Sequence, residues 1–93
     1  MYKVLSGINL VENREVLLTD AFQPNVSAIK ERIDGNTKLL FICSPNNPTG
    51  NSFSTRSIED LLKSFTGLVV IDEAYIDFSL EESWTSKLAK YPN

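Results

Sequence analysis

The sequence predicts an α/β fold in which helices flank part of a mainly parallel sheet. Two apolar runs, 39–43 and 68–71, have strand length and lack the alternation of a half-exposed strand, which indicates strands covered on both faces. The segment between them, 54–65, places apolar side chains at the spacing of a helix that packs on one face: Ile58, Leu61, Leu62 and Phe65. A strand, a helix and a second strand in this order form the crossover unit of a parallel sheet, for which we expect the right-handed form.

The segments that precede this unit predict three further elements. Residues 2–10 have the apolar spacing of a short helix, and residues 16–19 are β-prone and short enough for a strand. Residues 26–33 predict a helix of about two turns, because their apolar side chains share one face. We expect Gly35 to end that helix in the left-handed conformation that glycine adopts readily.

The boundaries of the crossover helix and the tail of the chain can also be predicted. Either Ser57 or Ser54 is placed to cap the start of the crossover helix, and Gly67 is expected to end it. Residues 79–93 carry aromatic and apolar side chains at nearly helical spacing and predict a last helix: Trp84, Leu88 and Tyr91.

The composition is that of a globular domain and argues against several classes of partner. The chain has 93 residues, 42% of them hydrophobic, and a net charge of −3, so it holds at most one domain. A net negative charge disfavours nucleic acid and anionic membranes as partners. No apolar run approaches the roughly 18 residues that span a bilayer, and no signal-peptide pattern is present, so we expect a cytoplasmic protein.

The titratable residues restrict the chemistry that the chain can perform. Histidine is absent and Cys43 is the only cysteine, which excludes a Ser/His/Asp triad, a zinc site and an internal disulfide within the chain. The acidic residues Asp72, Glu73 and Asp77 do not have the spacing of a metal-binding loop, so no metal is predicted. Any chemistry must therefore depend on other side chains or on a bound cofactor.

Polar residues follow both predicted strands at the point where each strand ends. Ser-Pro-Asn-Asn-Pro-Thr-Gly occupies residues 44–50, and Asp-Glu-Ala-Tyr occupies residues 72–75. Ligands of open parallel sheets bind beyond the carboxyl ends of the strands, so we expect Asn47, Asp72 and Tyr75 to converge there. An amide, a carboxylate and a phenol suit a planar heteroaromatic ligand. The carboxylate would keep a ring nitrogen protonated, and the other two groups would hydrogen-bond a ring oxygen.

These motifs resemble those of the pyridoxal-phosphate-dependent aminotransferases of fold type I, class I and II. Residues 43–50, 72–78 and 88–92 are most similar to the histidinol-phosphate aminotransferase branch, and the resemblance covers nearly the whole chain. It implies pyridoxal 5′-phosphate as cofactor and a homodimeric parent protein that acts on a small amino donor and a 2-oxo acid. For that branch the implied reaction converts histidinol phosphate and 2-oxoglutarate to imidazole acetol phosphate and glutamate, in histidine biosynthesis.

The resemblance implies a cofactor-binding role for three residues. Asn47 is similar to the asparagine that donates to the cofactor's ring oxygen, and Tyr75 is similar to the tyrosine that contacts the same oxygen. Asp72 resembles the aspartate that pairs with the pyridine nitrogen, which keeps the ring an effective electron sink.

Other family residues have no counterpart in this sequence. The catalytic lysine, which forms an imine with the cofactor, lies beyond the matching segment in the family, and the context of Lys87 and Lys90 does not match it. The groups that bind the cofactor's phosphate and the substrate's carboxylate also lie outside. We therefore expect residues 1–93 to form a partial cofactor-binding (large) domain, truncated at both ends, that performs no transamination alone.

Alternative functions remain open at this point. Another fold type I enzyme, such as an amino-acid aminotransferase or a phosphate-amino-acid decarboxylase, would carry similar motifs. The apolar run before Asp72 and Glu73 is also typical of the Walker B segment of a P-loop ATPase. The chain lacks G-x-x-x-x-G-K-[ST], however, and that interpretation gives residues 44–50 no role. A non-catalytic α/β interaction module is the third class.

Several residues near the motifs have simpler structural interpretations. Asn46 is expected to stabilise the turn that it occupies, as such side chains commonly do. Glu73 is expected to support the structure without contacting a ligand. Cys43 is expected to be a small buried apolar residue, and Trp84 to pack against the core.

Overall fold

A computed structural model describes residues 2–93, which form a two-stranded parallel sheet with helices around it. In chain order the elements are α1 (Tyr2–Ile8), α2 (Val26–Arg32), β1 (Leu39–Cys43), α3 (Thr55–Ser64), β2 (Leu68–Asp72) and two 3₁₀ turns, Ile76–Phe78 and Trp84–Lys87. The predicted α/β class is therefore confirmed, and the crossover β1–α3–β2 lies at its centre.

The two strands end at the same edge of the sheet. Their register pairs Leu39 with Leu68 at the start and Cys43 with Asp72 at the end. The backbone N–H of Ser44 then donates to the carbonyl oxygen of Asp72 at 3.0 Å, which extends the pairing into the loop after β1. The polar motifs that follow the strands consequently begin side by side.

The core lies between α3 and one face of the sheet. Ile58 and Leu61 of α3 are fully buried because the apolar stripe of this helix faces the strands. Ser54 caps α3 by accepting a hydrogen bond from the backbone N–H of Ser57, which decides between the two predicted caps. The buried core residues are Ile42, Phe53, Ile58, Leu61, Leu62 and Phe65.

The opposite face of the sheet is open over the described residues, which corrects the expectation that both faces are covered. Leu39, Phe41 and Leu68 remain about half exposed. The physical reason is that α2 and α3 pack on the same side. On the open side, Tyr2 of α1 stacks on Phe41 with the ring centroids 4.7 Å apart.

The predicted strand at 16–19 does not form, and Thr19 instead donates from its backbone N–H to the carbonyl oxygen of Gln23 at 2.8 Å. A strand needs a neighbour for its backbone groups, and neither β1 nor β2 pairs with this segment. Leu18 packs against the core, whereas Leu17 is 86% exposed. The β-prone sequence thus supplies one core contact and no sheet pairing.

The predicted glycine caps are wrong in their conformation. Helix α2 ends at Ile33 in extended backbone, and α3 ends in the same way at Phe65. Gly50 is the glycine of residues 2–93 that has a positive φ, at 74°. Gly67 is needed for space instead, because a Cβ there would lie 2.5 Å from Cζ of Phe65 and 2.6 Å from the carbonyl oxygen of Lys38.

The predicted tail helix is reduced to the 3₁₀ turn Trp84–Lys87. The chain then returns to the sheet, where the carbonyl oxygen of Asn93 accepts from the backbone N–H of Val69 at 2.8 Å. The side-chain amide of Asn93 also donates to the carbonyl oxygens of Leu62 and Phe65. These tertiary hydrogen bonds fix the end of the tail, and Trp84 packs against the core as predicted.

Candidate functional site

Asp72 is the last residue of β2, and its carboxylate is half-buried in a defined orientation. Oδ1 accepts a hydrogen bond from the backbone N–H of Ala74 at 3.0 Å. The backbone carbonyl of Asp72 is held by Ser44, as described above. Because both the backbone and one carboxylate oxygen are fixed, the second oxygen, Oδ2, points in a set direction at the carboxyl edge of the sheet.

The hydroxyl of Tyr2 donates a hydrogen bond to Oδ2 of Asp72, across 70 residues of sequence. Burial, and then the hydrogen bond and charge of Asp72, raise the pKa of the Tyr2 hydroxyl well above its ordinary value. Tyr2 therefore stays protonated and acts as a donor. Sequence analysis assigned Tyr2 only to a helix, and no spacing pattern could have linked residues so far apart.

The loop after β1 is anchored by its own polar groups. The side-chain amide of Asn46 donates to Oγ1 of Thr49 at 2.8 Å, and its backbone carbonyl accepts from the N–H of Gly50 at 2.7 Å. Oγ of the buried Ser44 accepts from the backbone N–H of Phe53 at 2.9 Å. The predicted turn role of Asn46 is confirmed, and the loop is tied to the core at its base.

Asn47 and Tyr75 present exposed polar side chains on the loops that follow β1 and β2. Tyr75 is 45% exposed and begins the first 3₁₀ turn, where its carbonyl accepts from Phe78 at 3.0 Å. Within residues 2–93, neither the amide of Asn47 nor the hydroxyl of Tyr75 is engaged in a hydrogen bond, and neither contacts Asp72 in that way. The three predicted residues share one edge of the sheet, with two of them turned to solvent.

Glu73 stabilises the tail of the chain through hydrogen bonds from Ser83 and Trp84. Its carboxylate accepts from the hydroxyl of Ser83 and from the backbone N–H of Trp84, the latter at 2.7 Å. These contacts confirm the predicted structural role of Glu73, whereas the absence of a ligand contact stays a prediction. Cys43 is half-buried rather than fully buried, and its thiol makes a weak contact with the carbonyl of Pro45 at 3.5 Å.

Two open cavities of about 150 and 120 Å³ adjoin Glu73 and Trp84, and none of the three predicted ligand-binding residues lines them. The candidate site in residues 2–93 is an exposed edge of the sheet, where Asn47 and Tyr75 are open to solvent. In the same residues no cluster of acidic or cysteine side chains could hold a metal ion, and no helix has the length and apolar character to cross a membrane.

Comparison with known proteins assigns the chain to a family. The family model described as "Aminotransferase class I and II" matches residues 1–93. The chain is 64% identical over its full length to histidinol-phosphate aminotransferase of Flavobacterium johnsoniae and 59% identical to that of Flavobacterium psychrophilum. It is 50% identical to the enzyme of Bacteroides thetaiotaomicron. In each case it spans 27% of the relative's length. The chain belongs to the class I and II aminotransferase family.

Proposed function

We propose that this chain forms one wall of the pyridoxal 5′-phosphate site of a histidinol-phosphate aminotransferase. The observation that carries this proposal is the fixed carboxylate of Asp72 at the carboxyl end of β2. The names of the relatives support the branch, since identity of 48–64% extends over the whole chain. The chain spans about a quarter of the length of these relatives, so the full reaction is proposed for the protein that carries the chain and not for residues 1–93 alone.

The residues of the carboxyl edge fit the proposed cofactor. A carboxylate offers about four acceptor positions, and the hydrogen bonds from Ala74 and Tyr2 occupy two of them in Asp72. The remaining positions can accept a ring N–H. The contact with Tyr2 demonstrates that an aromatic donor can approach Oδ2 closely. The Asn47 amide and the Tyr75 hydroxyl are both exposed, so they can donate to an oxygen on the ring.

Bound pyridoxal phosphate would supply the electron sink on which amino-group transfer depends. The task of Asp72 is to keep a positive charge on the ring nitrogen through a charge-assisted hydrogen bond. Asn47 and Tyr75 would hold the opposite side of the ring, so that the ring is oriented from two loops. The rigid turn around Asn46 keeps the Asn47 backbone in place for this purpose.

The proposal extends to the protein that carries the chain. Residues 1–93 would belong to its large, cofactor-binding domain, and other parts of the sequence would provide the lysine that binds the cofactor and the groups for its phosphate. We further propose a cytoplasmic homodimer that uses an amino donor and a 2-oxo acid. Family membership explains the Asp-Glu pair after β2 without a P-loop ATPase, which leaves that alternative without support.

The decisive experiment is Asp72→Asn in the full-length protein, with Asp77→Asn as the matched control. Asp77 lies in the same motif, is exposed, and makes no side-chain hydrogen bond within residues 2–93. Loss of a charge-assisted hydrogen bond worth roughly 3 kcal/mol should lower turnover of histidinol phosphate about 100-fold. Cofactor affinity, measured by visible absorbance, should fall with it, whereas Asp77→Asn should leave both unchanged.

Two outcomes would revise the proposal in different ways. Normal turnover and cofactor affinity in the Asp72→Asn protein would contradict the assigned site. Activity of the unaltered protein only with another amino donor, such as an aromatic amino acid, would keep the site and replace the substrate.

A further inference from the structure

Three elements of the fold meet at Oδ2 of Asp72. Tyr2 comes from the first turn of α1, Phe41 from the middle of β1 and Asp72 from the end of β2. The Tyr2 ring stacks on Phe41 at an interplanar angle of 30°, and its hydroxyl donates to the carboxylate. Stacking on Phe41 therefore positions the Tyr2 ring, and the hydroxyl of that ring binds the Asp72 carboxylate.

This contact is not a by-product of burying α1. The helix has no buried residue, and its apolar side chains Val4, Leu5 and Ile8 are 64%, 48% and 72% exposed. A helix that docked through apolar packing would bury such a stripe. Instead, α1 contacts the sheet through one half-buried aromatic residue, Tyr2, whose hydroxyl donates a hydrogen bond to the Asp72 carboxylate.

The donor is suited to hold a carboxylate without neutralising it. The charge of Asp72 and the burial of the phenol disfavour the ionised form of Tyr2, and the half-buried thiol of Cys43 is the other titratable group that acts on it. A neutral O–H that points at a carboxylate fixes its orientation and leaves its charge available. Hydrogen bonds of this kind are among the stronger ones in proteins.

We propose that Tyr2 is a positioning residue for the cofactor, whose hydroxyl fixes the orientation of the Asp72 carboxylate that would hold the ring nitrogen. This inference rests on the proposed function, because it requires Asp72 to be the partner of that nitrogen. Phe41 has a supporting role, since it sets the position of the Tyr2 ring.

The test is Tyr2→Phe in the full-length protein, which removes the hydroxyl and keeps the ring that stacks on Phe41. Tyr91→Phe is the matched control, because Tyr91 packs against the opposite side of the sheet with α3. Pyridoxal phosphate affinity should weaken about tenfold in Tyr2→Phe, by analogy with the lower end of effects seen when a group that orients a metal ligand is removed. The pH at which the visible band of the bound cofactor changes should also move, and Tyr91→Phe should move neither quantity.

A double-mutant cycle with Asp72→Asn distinguishes the failure of this inference from failure of the proposed function. If Tyr2 acts through Asp72, Tyr2→Phe should have no further effect in the Asp72→Asn protein. Phe41→Leu is a second variant, which keeps the Tyr2 hydroxyl but removes the ring on which Tyr2 stacks. It should also weaken the affinity for pyridoxal phosphate.

Each remaining outcome overturns a stated part. If Asp72→Asn does not change cofactor affinity, the proposed function itself fails. If Asp72→Asn weakens affinity but Tyr2→Phe behaves like Tyr91→Phe, only the role of Tyr2 is refuted. Tighter binding in Tyr2→Phe would refute it as well, because the hydroxyl would then be a competitor of the ring nitrogen.

Discussion

The crossover unit, residues 39–72, and the N-terminal segment, residues 2–25, are stabilised by different interactions. The crossover unit contains the buried apolar core of the described residues, and its helix packs its apolar stripe against the strands. In the N-terminal segment, by contrast, Pro24 is buried but large apolar side chains are open to solvent. Leu10 is 94% exposed and Leu17 is 86% exposed.

Besides the packing of Leu18 and Tyr2, polar contacts connect the N-terminal segment to the rest of the molecule. The guanidinium of Arg14 donates to the carbonyl of Arg32 at 2.7 Å and pairs with Asp34 at 2.9 Å. The side-chain oxygen of Gln23 accepts from the backbone N–H of Ser54 at 2.8 Å. Such contacts orient a segment but contribute much less free energy than the burial of a Leu or Ile side chain. The two regions should therefore respond to substitution very differently.

The largest difference is expected for leucine truncation. Leu61→Ala should lower the free energy of unfolding by about 2–5 kcal/mol, because a fully buried side chain leaves a cavity between α3 and the sheet. Leu17→Ala should change it by less than about 0.5 kcal/mol, since its side chain is exposed. Urea titration of the two variants measures both values. Equal losses of unfolding free energy would show that Leu17, in the N-terminal segment, makes a stabilising contact that the exposure of its side chain does not reveal.

A glycine pair tests packing within the crossover unit at a finer scale. Gly67→Ala should cost about 1–3 kcal/mol, because its Cβ would lie 2.6 Å from a backbone oxygen that cannot turn aside. Gly35→Ala is the control, since nothing lies within 4 Å of the new atom and its φ is not positive. It should be neutral or slightly stabilising through the unfolded state. The same denaturation measurement applies, and an unaffected Gly67→Ala protein would mean that Phe65 and the strand can move apart.

The crossover unit could be predicted because its signals are local. The periodicity of residues 54–65 and the two apolar runs act within a few residues, and each element formed within one or two residues of its predicted bounds. The same signals failed at 16–19, where the outcome depended on a partner strand that local sequence does not specify. They failed at Gly35 because extended backbone at Ile33 ended α2 first.

The candidate site was predictable to the same degree as the strands that carry it. The position of Asp72 at a strand end follows from the pattern of β2, whereas the Tyr2 contact depends on where the first turn of α1 lies relative to the sheet. That placement brings together residues 70 positions apart, so only the three-dimensional structure could reveal it. The roles of Asn47 and Tyr75 remain predictions that rest on their exposure and on the family motif.

The smallest expected effect is a dependence of stability on pH that arises from Arg14 in the N-terminal segment. The hydrogen bond and charge of Arg14 lower the pKa of Glu12. The pKa of Asp34 is also lowered, first by the backbone N–H of Asn36 and then by Arg14. A carboxyl group with a depressed folded pKa stabilises the protein above its ordinary pKa of about 4. That stabilisation is lost as the pH falls through the lower, folded value.

Arg14→Gln should therefore make the loss of stability between about pH 5 and pH 2 shallower, with Arg56→Gln as the control. Arg56 is exposed and forms no ion pair within the described residues, so its removal should leave the slope unchanged. The contacts of Arg14 lie at the surface, where salt screens charges, so the difference should shrink as salt is raised. A slope unaffected by Arg14→Gln at low salt would mean that Arg14 does not lower the pKa values of Glu12 and Asp34 in the folded protein.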